Sequence, residues 1–332
     1  MNNGNEIALG MGKAVVKGWQ EAQEMRIRTN NRVRDLIYRK VEGIPFEKPQ
    51  EKKEEKKHEE KFKDSKIPQY LDTLLEKGEI TKKERKYVDT LVDISTDLKT
   101  LEDTYAKLLK PYVEQEEIYK DYYKNIKGVG PAMAAQLIQM LGYCDGVRTE
   151  EDGRVVEKVP HASSLRRYCC MDPDGAKGRT KGQKLHGNIK AKTLWWKIGS
   201  QMMMAKNPTY IKLYNERKEL ETERMEKNDP SAPKNALQAH LRAMRWATQK
   251  FINWHWVIGR QLKGYPTNRG WIFEVKNHSD YIPPPIIPEI LKDEKGQWDP
   301  IRPAGWIFEN GKKDWSEADD YIKRLCGRAN ES

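Results

Sequence analysis

Apolar side chains recur at alternating intervals of four and three along one stretch of the chain. They are Tyr87, Leu91, Ile94, Leu98, Leu101, Tyr105, Leu108 and Tyr112. This is a heptad seam, with Leu91, Leu98, Tyr105 and Tyr112 in one register and Ile94, Leu101 and Leu108 in the other. Thr81-Lys82-Lys83-Glu84 just ahead reads as a capping box, with Thr81 as N-cap and Glu84 three residues on. Pro111 predicts a kink or break near residue 110. A helix from Thr81 to Lys110 would span about 45 Å at ~1.5 Å per residue. Its charges nearly cancel, so it reads as a packing element and not as a polyanion site.

Elsewhere the pattern is also helical. Residues 13–41 form a basic helix with eight basic and three acidic side chains. Its apolar positions, Val15, Trp19, Met25, Val33 and Ile37, share a face only loosely, which predicts folding against a partner. Residues 47–66 are a mixed-charge run whose i,i+4 pairs are mostly like-signed, as in Lys52/Lys56 and Glu55/Glu59, so a solvated linker is expected. Residues 116–142 read as helix, tight turn, helix. A loop or small hairpin is expected over 143–160, a short helix over 161–170 and an irregular glycine-rich loop over 172–187. Asn188 caps a helix running to about Lys206, and Asn207-Pro208 closes it and opens another to about Lys227. A last helix runs from about Asn235 to Leu262, with an inner stripe of Leu237, Leu241, Met244, Thr248, Phe251, His255, Ile258 and Leu262.

The tail is rich in Pro, Gly and Trp, and Gly270-Trp271-Ile272-Phe273-Glu274 recurs as Gly305-Trp306-Ile307-Phe308-Glu309. Two small strands or turns are expected there. The expected organisation is thus a basic N-terminal helix (1–46), a charged linker (47–66), a coiled-coil helical region (67–115), a helical domain built on the hairpin (116–263) and the repeat-bearing tail (264–332). The fold class is mainly α: a long coiled-coil-like helix, a helix-hairpin-helix and a helical bundle, with a small irregular or β tail.

Charge narrows the function. Lys and Arg number 61 against 50 Asp and Glu, a formal charge of +11, with a pI near 9.2 and a mean hydropathy of −0.91. The balance favours a polyanionic partner, nucleic acid first. No apolar run approaches the ~20 residues of a membrane span, and the N-terminus has no long apolar segment of the secretory type. Cys144, Cys169, Cys170 and Cys326 form no CxxC pair and no zinc spacing, and the six histidines show no metal spacing. A reduced, cytoplasmic protein without metal or cofactor is the simplest expectation.

Two features carry candidate chemistry. In Ile126-Lys127-Gly128-Val129-Gly130-Pro131-Ala132-Met133-Ala134-Ala135, two glycines allow a tight reversal, with a positive φ expected at Gly130. Pro131 suits the first helical turn. Backbone N–H groups at Gly128, Val129 and Gly130, the helix dipole and Lys127 then offer an anion site for a phosphate. Contacts of this kind carry little base preference. The second feature is the stretch from Gly175 to Asn215, with nine Lys or Arg and no Asp or Glu. Lys177, Arg179, Lys181, Lys184, Lys190, Lys192 and Lys197 are the expected phosphate contacts within it, with Arg166 and Arg167 just before. Most of the ten tryptophans, and Met202-Met203-Met204, are expected in the core.

The run from Tyr119 to Leu262 resembles the C-terminal transposase domain of the DEDD-type insertion-sequence transposases, the IS-one-ten and IS-one-sixteen group. The matching features, in order, are the Ile126–Pro131 turn with Ala134-Ala135, then Ser163, Ser164, Leu165, Tyr168 and Pro173, then Lys184 to Asn188, then Asn207-Pro208 with Tyr210 and Tyr214, and the helix from Ala236 to Lys250. The resemblance implies DNA binding and a history in DNA transposition. In that family an N-terminal RuvC-like domain carries acidic metal ligands, and a loop serine serves as nucleophile. Here the first 80 residues read as helix and linker, and the loop holds Asp174-Gly175-Ala176-Lys177-Gly178, with Thr180 the nearest hydroxyl. A DNA-binding relative without catalysis of its own is therefore expected. An active transposase or recombinase subunit, with Thr180 as the weak catalytic candidate, and an RNA-binding scaffold are the alternatives. A second copy or partner chain on the coiled coil is a further expectation.

Overall fold

A computed structural model describes residues 3–41, 43–44, 67–149, 155–172, 187–268, 281–301, 307–309 and 312–314. The protein is mainly α-helical. The chain divides into two compact units, 1–110 and 111–332.

The first unit is built on α1 (Asn3–Val41), α2 (Ile67–Glu76) and most of α3 (Lys82–Val113). Helix α1 begins ten residues before the expected start, and its loosely patterned apolar residues find their partners within the same chain. Val33, Ile37 and Tyr38 pack with Ile67, Leu71 and Leu74 of α2 and with Ile80 and Val88. Farther along α1, Arg26 Nε meets Glu102 at 2.7 Å, Gln23 donates to the same carboxylate at 3.0 Å, and Ser95 hydrogen-bonds Asn30. The capping box forms as expected: the Thr81 N–H donates to Glu84 at 2.8 Å and the Glu84 N–H to the Thr81 hydroxyl at 3.2 Å. Hydrogen bonding by the Thr81 backbone, then Lys40 at 2.9 Å, holds the Glu84 carboxyl down at about 2.

The seam is used unequally. Val88 and Glu102 are buried, and Leu91, Leu98 and Tyr105 are half-buried, whereas Tyr87, Ile94, Leu101 and Leu108, seven residues apart, stay exposed. Helix α3 also runs through Pro111 to Val113 instead of breaking near 110. The proline falls in the last turn, where it costs one hydrogen bond and not the helix.

The second unit contains α4 (Glu117–Asp121), a 3-10 turn (Tyr123–Asn125), α5 (Pro131–Leu141), a hairpin of β1 (Val147–Thr149) and β2 (Val155–Glu157), α6 (Ala162–Tyr168), α7 (Ile189–Met204), α8 (Pro208–Glu226) and α9 (Ala236–Leu262). Strands β1 and β2 pair antiparallel, Arg148 opposite Val156. Asn188, Asn207 and Asn235 cap α7, α8 and α9 through their side-chain oxygens, at the three positions the sequence marks. Helix α9 packs against α4, α6, α7 and α8 and forms the axis of the unit. Its buried face starts out of register with the expected stripe: Leu237 and Leu241 are exposed and Ala239 and Ala243 are buried, while farther on Met244, Thr248, Phe251, His255 and Ile258 are inside. Gly199 lets α7, α8 and α9 meet, because a Cβ there would lie 2.6 Å from Thr248 Oγ1 and 2.7 Å from the Tyr210 hydroxyl.

Trp195, Trp254 and Trp256 are buried, as expected. The Trp254 indole N–H donates to the Ile282 carbonyl at 2.9 Å, which ties the start of the described tail to α9. Arg260 makes a paired contact with Glu157 at 2.9 and 2.8 Å and donates to the Cys144 carbonyl at 3.0 Å, fixing the β1–β2 hairpin on the end of α9. In the tail, β3 (Ile307–Glu309) pairs with β4 (Lys312–Asp314). So the second copy of the repeat contributes a strand, while the first copy lies outside the described residues. No described helix is long and apolar enough to cross a membrane.

Candidate nucleic-acid interface

The hairpin differs from the sequence expectation in its first half. The predicted helix over 116–127 is only α4 followed by a 3-10 turn. Tyr119, Tyr122, Tyr123 and Ile126 are all buried, and placing adjacent Tyr122 and Tyr123 inside together favours the tighter winding. The Tyr123 hydroxyl lies 2.6 Å from His255 Nδ1 in the core.

The turn itself is anchored from below. Gly128, at φ +98°, takes the left-handed backbone. A Cβ there would lie 2.8 Å from Met202 Cα and 3.0 Å from its nitrogen, so the turn sits directly on the backbone of α7. Asn207 Nδ2 donates to the Lys127 carbonyl at 2.9 Å. Gly130 corrects the expectation of positive φ: it is the N-cap of α5, at φ −81° and ψ 170°, and nothing lies within 4 Å of a Cβ placed there. Pro131 does occupy the first turn. Val129 is also a correction. It is buried, and its N–H donates to the Ile126 carbonyl at 3.0 Å, so it offers no free donor. The N–H groups of Gly130 and Ala132 have no hydrogen-bond partner among the described residues.

Helix α7, on which this turn sits, also carries cations. Its buried face is Ala191, Leu194, Trp195, Ile198, Gly199 and Met202. Lys190 and Lys197 are exposed on the opposite face, two turns or about 10 Å apart at 1.5 Å per residue. Lys192 lies half-buried between them, and its charge lowers the Cys170 thiol pKa against the dominant effect of burial, which raises it. The helix closes on Lys206 at φ +53°, with Lys206 N–H donating to Met203 O at 3.0 Å and Asn207 N–H to Met202 O at 2.9 Å. This double closure is a Schellman motif. Lys127 and Lys206 are both exposed, on either side of the Asn207 junction. Arg167 is exposed on α6, whereas Arg166 is half-buried, and burial lowers its pKa against the opposing charge of Asp172. Lys177, Arg179, Thr180, Lys181 and Lys184 lie outside the described residues.

The same unit holds a cationic cluster that the sequence expectation missed. Arg217 and Arg224 come from α8, where neighbouring glutamates hide them from a charge count, and Arg242 and Arg245 come from α9, beyond the basic stretch that the sequence singled out. Among the described residues, no group of three or more His, Cys, Asp or Glu side chains converges to hold a metal ion. Cys144, Cys169 and Cys170 are buried and unpaired as disulfides.

No model of a known protein family matches the chain, and no curated protein or solved structure matches it either.

Proposed function

We propose that the chain is a DNA-binding protein that grips phosphates of the duplex backbone, related to an insertion-sequence transposase and without catalysis of its own. The observation that supports this reading best is the seating of the Lys127–Pro131 turn on the C-terminal end of α7. It joins the open start of α5, Lys127 and Lys206 to the helix that exposes Lys190 and Lys197. Two unpartnered N–H groups at a helix start and a row of ammonium groups suit the repeated negative charge of a backbone. None of these groups reads a base edge, so discrimination among sequences is expected to be weak. Buried Asn207 keeps the turn and the α7 end in fixed relation, so the backbone donors need no ordering on binding. A second copy pairing through Tyr87, Ile94, Leu101 and Leu108 belongs to the same reading, because a heptad column left exposed over three heptads is suited to another helix.

Competition among unlabelled duplex DNA, single-stranded DNA and structured RNA for a labelled duplex tests the proposal. Duplex DNA of any sequence should compete best. Preferential displacement by structured RNA would replace the DNA reading with the RNA one.

A further inference from the structure

A cavity of about 360 Å³ opens between α8 and α9, at the end of the α6 segment. Its floor is Glu221, whose side chain is fully buried. Arg217 pairs with one Glu221 oxygen, Arg242 reaches the other at 3.2 Å, and Arg224 stands 3.8 Å away. Three guanidinium groups thus surround a single carboxylate. Arg245, one turn beyond Arg242 and half-buried, makes no ion pair and no hydrogen bond among the described residues. The Arg217 Nε–H is buried without a hydrogen-bond partner. Trp246 forms part of the wall, with Lys250 Nζ 4.6 Å and the Arg217 guanidinium carbon 6.0 Å from its ring centre. The other carboxylate of the lining, Asp172, faces the charge of Arg166.

The charges do not balance. Burying one glutamate requires one well-placed arginine, and a desolvated cation without a counterion is costly. Here an unpaired guanidinium and an indole border one opening, over a floor in which the Arg217 Nε–H and Glu221 Oε1 are buried without hydrogen-bond partners. Burial, then the charge of Arg242, already lowers the Arg245 pKa. The missing component is an anion that accepts several N–H donors in a fork, for which phosphate is the natural match. The volume also falls within the range of small-ligand sites, leaving room for a planar group beside Trp246.

We propose that this cavity is a phosphate-ester site that takes a nucleotide phosphate on Arg245 and Arg242, with the base against Trp246. The nucleotide is either free or the 5′-terminal unit of a strand. The site is independent of the Lys127–Pro131 turn and extends the nucleic-acid reading to a second place on the unit.

Calorimetric titration of the full chain with inorganic phosphate, adenosine 5′-monophosphate, and one oligonucleotide with and without a 5′-phosphate tests it. Phosphate and the monophosphate should bind and raise Tm. A tenfold or greater preference for the 5′-phosphorylated strand marks the strand end as the source, and equal strand affinities mark the free nucleotide. Arg245→Gln should lower the monophosphate affinity at least tenfold, with Arg245→Lys recovering only part of it. Arg245→Met should raise Tm in phosphate-free buffer and abolish the phosphate-induced rise, because it removes an unpaired, half-buried cation. A merely structural Arg245 would give the opposite sign. Lys127→Glu should leave monophosphate affinity unchanged. No binding of phosphate or monophosphate, or a lowered Tm for Arg245→Met, overturns the site. Loss of duplex binding in Lys127→Glu alongside either result leaves the DNA reading standing, whereas monophosphate binding without duplex binding leaves only the cavity.

Discussion

The Asn207 side chain joins two places 80 residues apart in sequence: its Nδ2 donates to the Lys127 carbonyl at 2.9 Å while its Oδ1 accepts from Tyr210 N–H at 3.0 Å. One amide therefore caps α8 and fixes the hairpin turn, and its own N–H closes α7. Asn207→Asp keeps the cap acceptor and loses the donor. It should cost about 1–3 kcal/mol, because the Lys127 carbonyl then faces a carboxylate. Chemical denaturation measures this. A stability unchanged within 0.5 kcal/mol, roughly the range of surface substitutions, would show that the turn is held by other contacts.

The two glycines of the turn should respond differently. Gly128→Ala places a Cβ 2.8 Å from Met202 Cα at a positive φ. It should destabilise by about 2 kcal/mol and weaken duplex binding. Gly130→Ala meets open space at ordinary φ and should stay within about 0.5 kcal/mol of the parent. Equal losses at the two positions would contradict the observed turn.

Lys206 separates stability from binding. A lysine at φ +53° pays the left-handed penalty that glycine avoids. Lys206→Gly should therefore raise stability by about 1 kcal/mol while lowering duplex affinity through loss of one cation. A stabilised variant with undiminished affinity would remove Lys206 from the interface.

Acid should weaken the second unit through His255. Burial lowers its pKa to about 4 from the ordinary 6.5, so the fold holds the ring neutral. Below pH 6.5 the unfolded chain takes up the proton first. The stabilisation is therefore complete above 6.5 and lost as pH falls toward 4, on the order of 3 kcal/mol over that window. His255→Phe should flatten the pH dependence of Tm between 6.5 and 4. An identical pH profile in the variant would show that another group carries it.

Local features of the fold were legible in the sequence, and long-range ones were not. Thr81, Glu84, Asn188, Asn207 and Asn235 announce their helices because capping involves residues two or three apart. The exposed and buried sides of α7 follow from the spacing of Lys190, Lys197, Leu194 and Ile198. Which glycine needs positive φ depends on the approach of Met202, 74 positions downstream of Gly128, and spacing alone cannot register that. The arginine cluster was hidden for the same reason. Arg217 sits among acidic neighbours in a linear count, Arg242 lies 25 positions farther on, and only the packing of α8 on α9 brings them to one carboxylate. The start of the α9 stripe was misjudged because Leu237 and Leu241 fit the apolar period, whereas the residues buried over that stretch are Ala239 and Ala243.

The most direct test of the central claim is the salt dependence of duplex binding by the full chain and by Lys127→Glu/Lys190→Glu. If about five phosphates are neutralised, log K should fall with log salt at a slope near −4.5, from ~0.9 per phosphate. The double reversal should flatten that slope by about two units, alike on unrelated sequences, with no loss of Tm. A parent slope near zero, or a slope unchanged by the reversal, would contradict a phosphate-gripping interface built on the turn and α7.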